Sequence, residues 1–194
     1  VESLIHKGRI LLDMKKFGDA VSIFDQILES NPNHLVSLTN KAKSLCGLGM
    51  FKDAIVYCNQ ALLMQSDNLN ALYTKVVALV KTAKYQDAIA SIEKILTQKP
   101  QYRESLYYLG LCQNNIGMQE KAITTFDKFL QIYPNHIDCL LQKGMILQNF
   151  GKFEESVSCF DKILQHKTNH SSAWYHKGKS LKSLYHVDCL IPED

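Results

Sequence analysis

One spacing constrains this chain more than any other feature. Ala20, Ala54, Ala88 and Ala122 stand 34 residues apart, and Ser156 follows in the same column. A fixed recurrence of this length means stacked supersecondary units, because no single unit of that size can bury its own apolar face. The same offset joins Phe17, Phe51, Tyr85 and Phe153, with Gln119 in the fourth place, and joins Phe24, Cys58, Ile92, Phe126 and Phe160. Leu4, Leu38, Leu72, Leu106, Leu140 and Trp174 form a further column. The repeats therefore run 1–34, 35–68, 69–102, 103–136 and 137–170, with a partial sixth over 171–194, and they read as a single array over 1–194.

Within each unit, apolar residues recur at i, i+3, i+4 and i+7 on both sides of a short polar break such as Lys15-Lys16-Phe17-Gly18-Asp19, which predicts two helices per repeat. In the first repeat they should cover about 2–14 and 18–30. Asn31-Pro32-Asn33-His34 then stops the second helix, since proline has no amide to donate and the residue before it avoids the α region. Tyr133-Pro134-Asn135-His136 and Lys99-Pro100-Gln101-Tyr102 repeat the stop. Small residues at fixed places, Gly8, Ala42, Gly110, Gly144 and Gly178 on first helices and the Ala20 column on second helices, should let helices approach closely.

This pattern resembles the tetratricopeptide repeat, whose consensus wants Trp or Leu, then Leu-Gly, Tyr, Ala, Phe, Ala and Pro across 34 residues. Leu4, Gly8, Leu11, Ala20, Phe24 and Pro32 match in the first repeat, and Trp174, Gly178 and Leu181 in the sixth. Cys58, Val76, Gln119, Ser66 and Thr168 depart from it and are expected to soften packing locally. The resemblance implies an all-α fold: a right-handed solenoid of stacked antiparallel helix pairs with first helices lining a concave face. It also implies the binding of peptides or partner proteins.

Composition limits the other classes. With 22 Lys plus Arg against 19 Asp plus Glu, the formal charge is +3, too balanced for a phosphate-tracking protein, so no nucleic acid partner is expected. No apolar run reaches the ~18 residues that span a bilayer. A Gly-rich phosphate loop, G-x-S-x-G and H-E-x-x-H are absent from the sequence, and its acids recur at the repeat period, so neither an enzyme nor a cofactor is expected. Cys46, Cys58, Cys112, Cys139, Cys159 and Cys189 form no C-x-x-C pair and read as reduced, apolar residues of a cytoplasmic protein. The sequon Asn169-His170-Ser171 is the one hint of secretion.

Two charged or metal-like patterns have plain structural readings. Lys7, Lys41, Lys75, Lys143 and Lys177 share one column, and Asp25, Asn59, Glu93, Asp127 and Asp161 another, so these columns should pair within or between repeats. His34, His136 and His170 recur in the turns, and His166 lies at i, i+4 from His170, but without a further ligand nearby no metal site is expected.

The candidate site follows from the resemblance, which puts positions two, five, nine and twelve of each first helix on the concave side. There lie Tyr73, Val77, Tyr107, Leu111, Leu141, Met145 and Tyr175, an aromatic and aliphatic strip, with Arg9 and Lys43 at one end and Lys179 and Lys182 at the other. Glu104 and Asp138 add acids to one rim. Such a strip marks a partner-binding groove unless its side chains pack on one another. The carboxylate clamp that holds chaperone tails would need Lys and Asn, then Asn, then Lys and Arg; Ile5, Arg9, Asn40, Asn70 and Thr74 supply one match, so chaperone C-terminal tails are disfavoured. An Asn ladder at position six is also missing. The expected function is a non-catalytic scaffold holding a peptide or partner protein. The alternatives are a regulatory or substrate-docking domain of a larger enzyme and an RNA-binding helical array. At the C-terminus a first helix over Ser171 to Leu184 has no full partner, with Pro192 close behind, so that end should be covered by more chain, a partner or a second copy. Val1 starts directly in a helix, which suggests the same upstream.

Overall fold

A computed structural model describes residues 1–188 of the chain. Eleven helices make up the regular structure of these residues: α1 (Glu2–Asp13), α2 (Phe17–Ser30), α3 (Leu35–Gly47), α4 (Phe51–Met64), α5 (Leu69–Lys81), α6 (Tyr85–Gln98), α7 (Arg103–Asn115), α8 (Gln119–Ile132), α9 (Ile137–Asn149), α10 (Phe153–His166) and α11 (Ser171–Asp188). The fold is all-α, a solenoid of helix pairs, and helix starts recur at the sequence period. The break inside the first repeat lies one residue earlier than expected, because α1 ends at Asp13 and Phe17 already opens α2. The chain divides into two compact units, Val1–Tyr108 and Leu109–Asp194. Among the described residues, no helix is long and apolar enough to cross a membrane.

Turn chemistry explains the period. The first helices of the five full repeats end in a turn whose fifteenth position is left-handed: Lys15, Gly49, Ala83, Gly117 and Gly151 all have positive φ. A bond from the next amide back to the helix closes it, as in Met50 N to Leu45 O and Lys152 N to Leu147 O. The recurrent histidines have a structural role at the other junction. His34, His136 and His170 accept through Nδ1 from the amides of Ser37, Cys139 and Ala173, capping the helices they precede. Asn68 does the same for Ala71.

Packing within a repeat rests on a fit between two columns. A Cβ on Gly8 would stand 2.6 Å from the ring of Phe24, one on Gly110 2.5 Å from Phe126, and one on Gly144 2.7 Å from Phe160. The three phenylalanines are wholly buried, each worth roughly 1.5–3 kcal/mol of apolar transfer. Where the first column enlarges, the second shrinks: Ala42 accompanies Cys58 and Val76 accompanies Ile92, all at 0% exposure. The departures at Cys58 and Val76 therefore do not loosen the core as expected; each is compensated in volume. Gly178 differs: among the described residues, no atom of another element lies within 4 Å of its Cβ position. Its counterpart in the second column is Asp194, outside the described residues. Cys189 and Pro192, which entered the reading of the C-terminus, also lie outside them.

At three of the borders between repeats an ion pair adds to the apolar contact, and it is the answer to the pairing left open by the sequence. Lys41 pairs with Asp25, Lys143 with Asp127 at 2.5 Å and Lys177 with Asp161 at 2.6 Å. In each case a first helix reaches the second helix of the preceding repeat. Lys41 Nζ also donates to the Tyr57 hydroxyl at 2.6 Å. Burial acts to lower the pKa of Lys41 and Lys143, but hydrogen bonds to Asp25 and Tyr57, and to Asp127, outweigh it and hold both ammoniums charged above their ordinary range.

The two units have different interiors. In the first, Leu12, Ala20, Phe24 and Ile27 form one apolar cluster, Leu38, Ala61 and Ala71 a second, and Leu45, Ala54 and Ala78 a third. In the second, Leu140, Phe160, Ile163, Leu164 and Ala173 form the core, but a buried polar seam runs beside it. Ser156 Oγ donates to Gly144 O at 2.9 Å and lies 3.1 Å from Ser180 Oγ, while Gln148 Nε2 donates to Ser180 Oγ at 2.7 Å and to His176 O at 3.0 Å. The last helix also runs further than expected, through Tyr185 to Asp188 rather than ending at Leu184. No glycine or proline stands between those positions to stop it. Trp174, Tyr175 and Tyr185 are exposed on it.

Candidate functional site

In the first unit, α1, α3 and α5 bound a cavity of about 710 Å³, within the range of ligand cavities. Arg9, Lys43, Tyr73 and Val77 of the expected strip all line it. The other expected residues lie elsewhere. Tyr107 is half-buried with its ring 5.8 Å from that of Tyr108. Leu111, Leu141, Met145, Tyr175, Lys179 and Lys182 belong to the second unit. There Leu141 and Met145 pack against the Phe160 core, Tyr175 is 69% exposed with its ring 5.1 Å from His176, and Lys179 and Lys182 are exposed on α11.

The cavity's floor is more polar than the sequence suggested. Thr39, Asn40, Asn70, Thr74 and Tyr102 line it alongside the expected residues. In the sequence Asn40 bears on the chaperone clamp and the Asn ladder, and Tyr102 on a helix stop. Their column positions, two and six of the first helix and the turn residue before it, were the available signal. Helix backbone already engages part of this set: Thr39 Oγ1 donates to Leu35 O at 2.8 Å and Asn40 Nδ2 to Val36 O at 2.9 Å. Among the described residues, Arg9, Lys43 and the Asn70 amide have no such partner. Asp13, one turn after Arg9, is the acid of the lining, so that end carries two cations against one carboxylate.

The opposite wall is a tyrosine cluster. Tyr73 meets Tyr102 at 5.9 Å between centroids and 67° between planes, and Tyr108 at 6.1 Å and 60°. Such edge-to-face pairs hold aromatic side chains in fixed orientation. Burial pushes the Tyr73 hydroxyl well above its ordinary pKa, with further contributions from Tyr108 and the Glu104 carboxylate. Burial and then Glu104 also raise Tyr102. All of these phenols stay neutral donors at physiological pH. The thiols are inert: burial raises Cys46 to about 11 and Cys58 to about 12. The described residues contain no group of three His, Cys, Asp or Glu placed to hold a metal ion.

Comparisons with known proteins agree with this fold. Tetratricopeptide repeat profiles match residues 104–136 and 137–169, and the profile of the anaphase-promoting complex, cyclosome, subunit 3 matches residues 13–95. No curated protein matches the sequence. Among solved structures, YrrB, described as a TPR protein with an unusual peptide-binding site, is 20% identical with a TM-score of 0.78, covering 90% of each chain. MamA from Desulfovibrio magneticus RS-1 is 18% identical with a TM-score of 0.80, over 88% of this chain and 96% of its own. A tetratricopeptide repeat protein from Parabacteroides merdae is 17% identical with a TM-score of 0.78, over 99% of this chain and 80% of its own. Matched column by column, by profile in successive repeats and by fold along nearly its whole length, the chain belongs to the tetratricopeptide repeat family.

Proposed function

We propose that this chain is a non-catalytic scaffold that holds an extended segment of a partner protein in the cavity bounded by α1, α3 and α5. The observation that carries the reading is the cavity itself, with two unpaired cations, an unpaired amide and a fixed tyrosine wall facing one space. Extended backbone needs such donors for register, and aromatic anchors dominate the energy of peptide recognition. The structural likeness to a peptide-binding protein and the profile of a complex subunit support a protein partner. The reduced, buried thiols support a cytoplasmic setting. Of the remaining expected groove residues, Tyr175, Lys179 and Lys182 are exposed on α11 of the second unit and are candidate contacts of that unit by itself.

The test is affinity capture with the full chain beside an Arg9→Glu, Tyr73→Ala variant. Loss of the captured proteins, with helicity and melting retained, is the expected result. Equal capture by both proteins would move the interface away from this cavity.

A further inference from the structure

The cavity is polarised, and this polarity specifies its occupant more closely than a peptide in general. At the α1 and α3 end stand Arg9 and Lys43, both exposed and without an acidic partner among the described residues, opposed in the lining by Asp13. At the α5 end, Tyr73 and Tyr102 form a corner with planes 67° apart, both lining the cavity. Glu104, exposed in the first turn of α7 two residues after Tyr102, is the acid nearest that corner in the chain, and its carboxylate adds to burial in raising the Tyr73, Tyr102 and Tyr108 hydroxyls. Lys99 and Arg103 do not line this cavity; with Pro100, Gln101 and Tyr102 they line a separate one. Electron-rich ring faces beside a carboxylate attract a cation, whereas Arg9 and Lys43 attract an acid.

We propose that the cavity takes an extended peptide segment carrying both signs of charge, with an acidic group placed on Arg9 and Lys43 and a lysine or arginine placed on the Tyr73 and Tyr102 corner beside Glu104. This rests on the peptide-binding reading above and adds the partner's chemistry and orientation to it. Packed helices lie about 8–10 Å apart. Lys43 is one such interval from Tyr73 and Arg9 is two, so at about 3.3 Å per extended residue the acid and the base are some three to six residues apart. A uniformly acidic tail satisfies only one end.

A displayed library of short random peptides, panned on the full chain and on two variants, reads this directly. The unaltered chain is expected to enrich peptides with an acid and a base at that spacing. Arg9→Glu with Lys43→Glu should replace the selected acid by a base and weaken the original consensus peptide about tenfold or more. Glu104→Lys should keep the acid and lose the base, with a few-fold to tenfold weakening. All three positions are exposed, and circular dichroism of each variant should match that of the parent. Enriched peptides with no paired charges, or charge preferences that neither variant moves, overturn the polarity while leaving peptide binding in place. Failure to enrich any peptide overturns the peptide reading itself.

Discussion

The first-helix faces of the two units are built from the same columns and end differently. In Val1–Tyr108, positions five and nine present Tyr73, Val77, Arg9 and Lys43 to an open cavity. In the fifth repeat, within the second unit, the same positions carry Leu141 and Met145, which pack against the apolar cluster of Phe160 and Ile163, while in the sixth Tyr175 and Lys179 are exposed. A side chain's column fixes which way it faces. Its exposure depends on whether it is long and apolar enough to join the core beneath it. The interiors differ as well, with apolar clusters in the first unit and a hydrogen-bonded seam beside the apolar cluster of the second.

The sharpest way to break the comparison is to put a charge into the tightest column. Ala88→Glu places a carboxylate at a site with 0% exposure, and it should cost on the order of 3 kcal/mol or more by urea denaturation. A melting point within a degree or two of the parent would show that the third repeat packs in another register. The next effect separates two glycines of one column. Gly144→Ala forces a methyl against the buried ring of Phe160 at 2.7 Å and should cost about 1–3 kcal/mol, whereas Gly178→Ala meets nothing and should gain up to ~1 kcal/mol of helix propensity.

The polar seam gives the second unit a pH dependence of its own. Burial, and then the Lys179 ammonium, lower the pKa of His176 below its ordinary 6.5. The unfolded chain therefore takes up the proton first, so stability contributed by the neutral ring is present above pH 6.5 and is lost as the pH falls through the folded value. Thermal melts between pH 7.5 and 5 should show this loss, and His176→Gln should reduce it. An unchanged pH profile in that variant would assign the effect to other groups. The smallest change sharpens the contrast in turns. Both turns of the second unit use glycine at positive φ, while the first unit has Ala83 at φ 56°. Ala83→Gly should raise stability by roughly 0.5–1 kcal/mol, read as a small rise in melting temperature.

Helix order, repeat register and the buried columns were legible because they recur, and recurrence averages out local exceptions such as Cys58. The direction of the lysine ladder was not, since Lys41 lies sixteen residues from both Asp25 and Tyr57 and a column alone does not say which neighbour it meets. The histidine turns read as ambiguous for a related reason: capping uses one ring nitrogen and a backbone amide, a pairing that leaves no second side chain in the sequence to notice. At the site, Arg9, Lys43, Tyr73 and Val77 were legible as one face. Tyr102 was missed because its proline-bearing turn announced only where a helix stops.

The lysine ladder and the glycine fit together set rules for how such a chain can be rearranged. A glycine and its phenylalanine lie in the same repeat, so a repeat copied or moved as a block takes its own internal fit along. At three borders the lysine and its aspartate lie in successive repeats, so the same move cuts that bond and tests the newcomer's charge against whatever precedes it. The second and third repeats, with Asn59 and Glu93 in the aspartate column, would therefore be unequal donors for a position that is followed by lysine. Order along the array is thus recorded in its junctions, and shuffling repeats would erase that record while leaving each helix pair well formed.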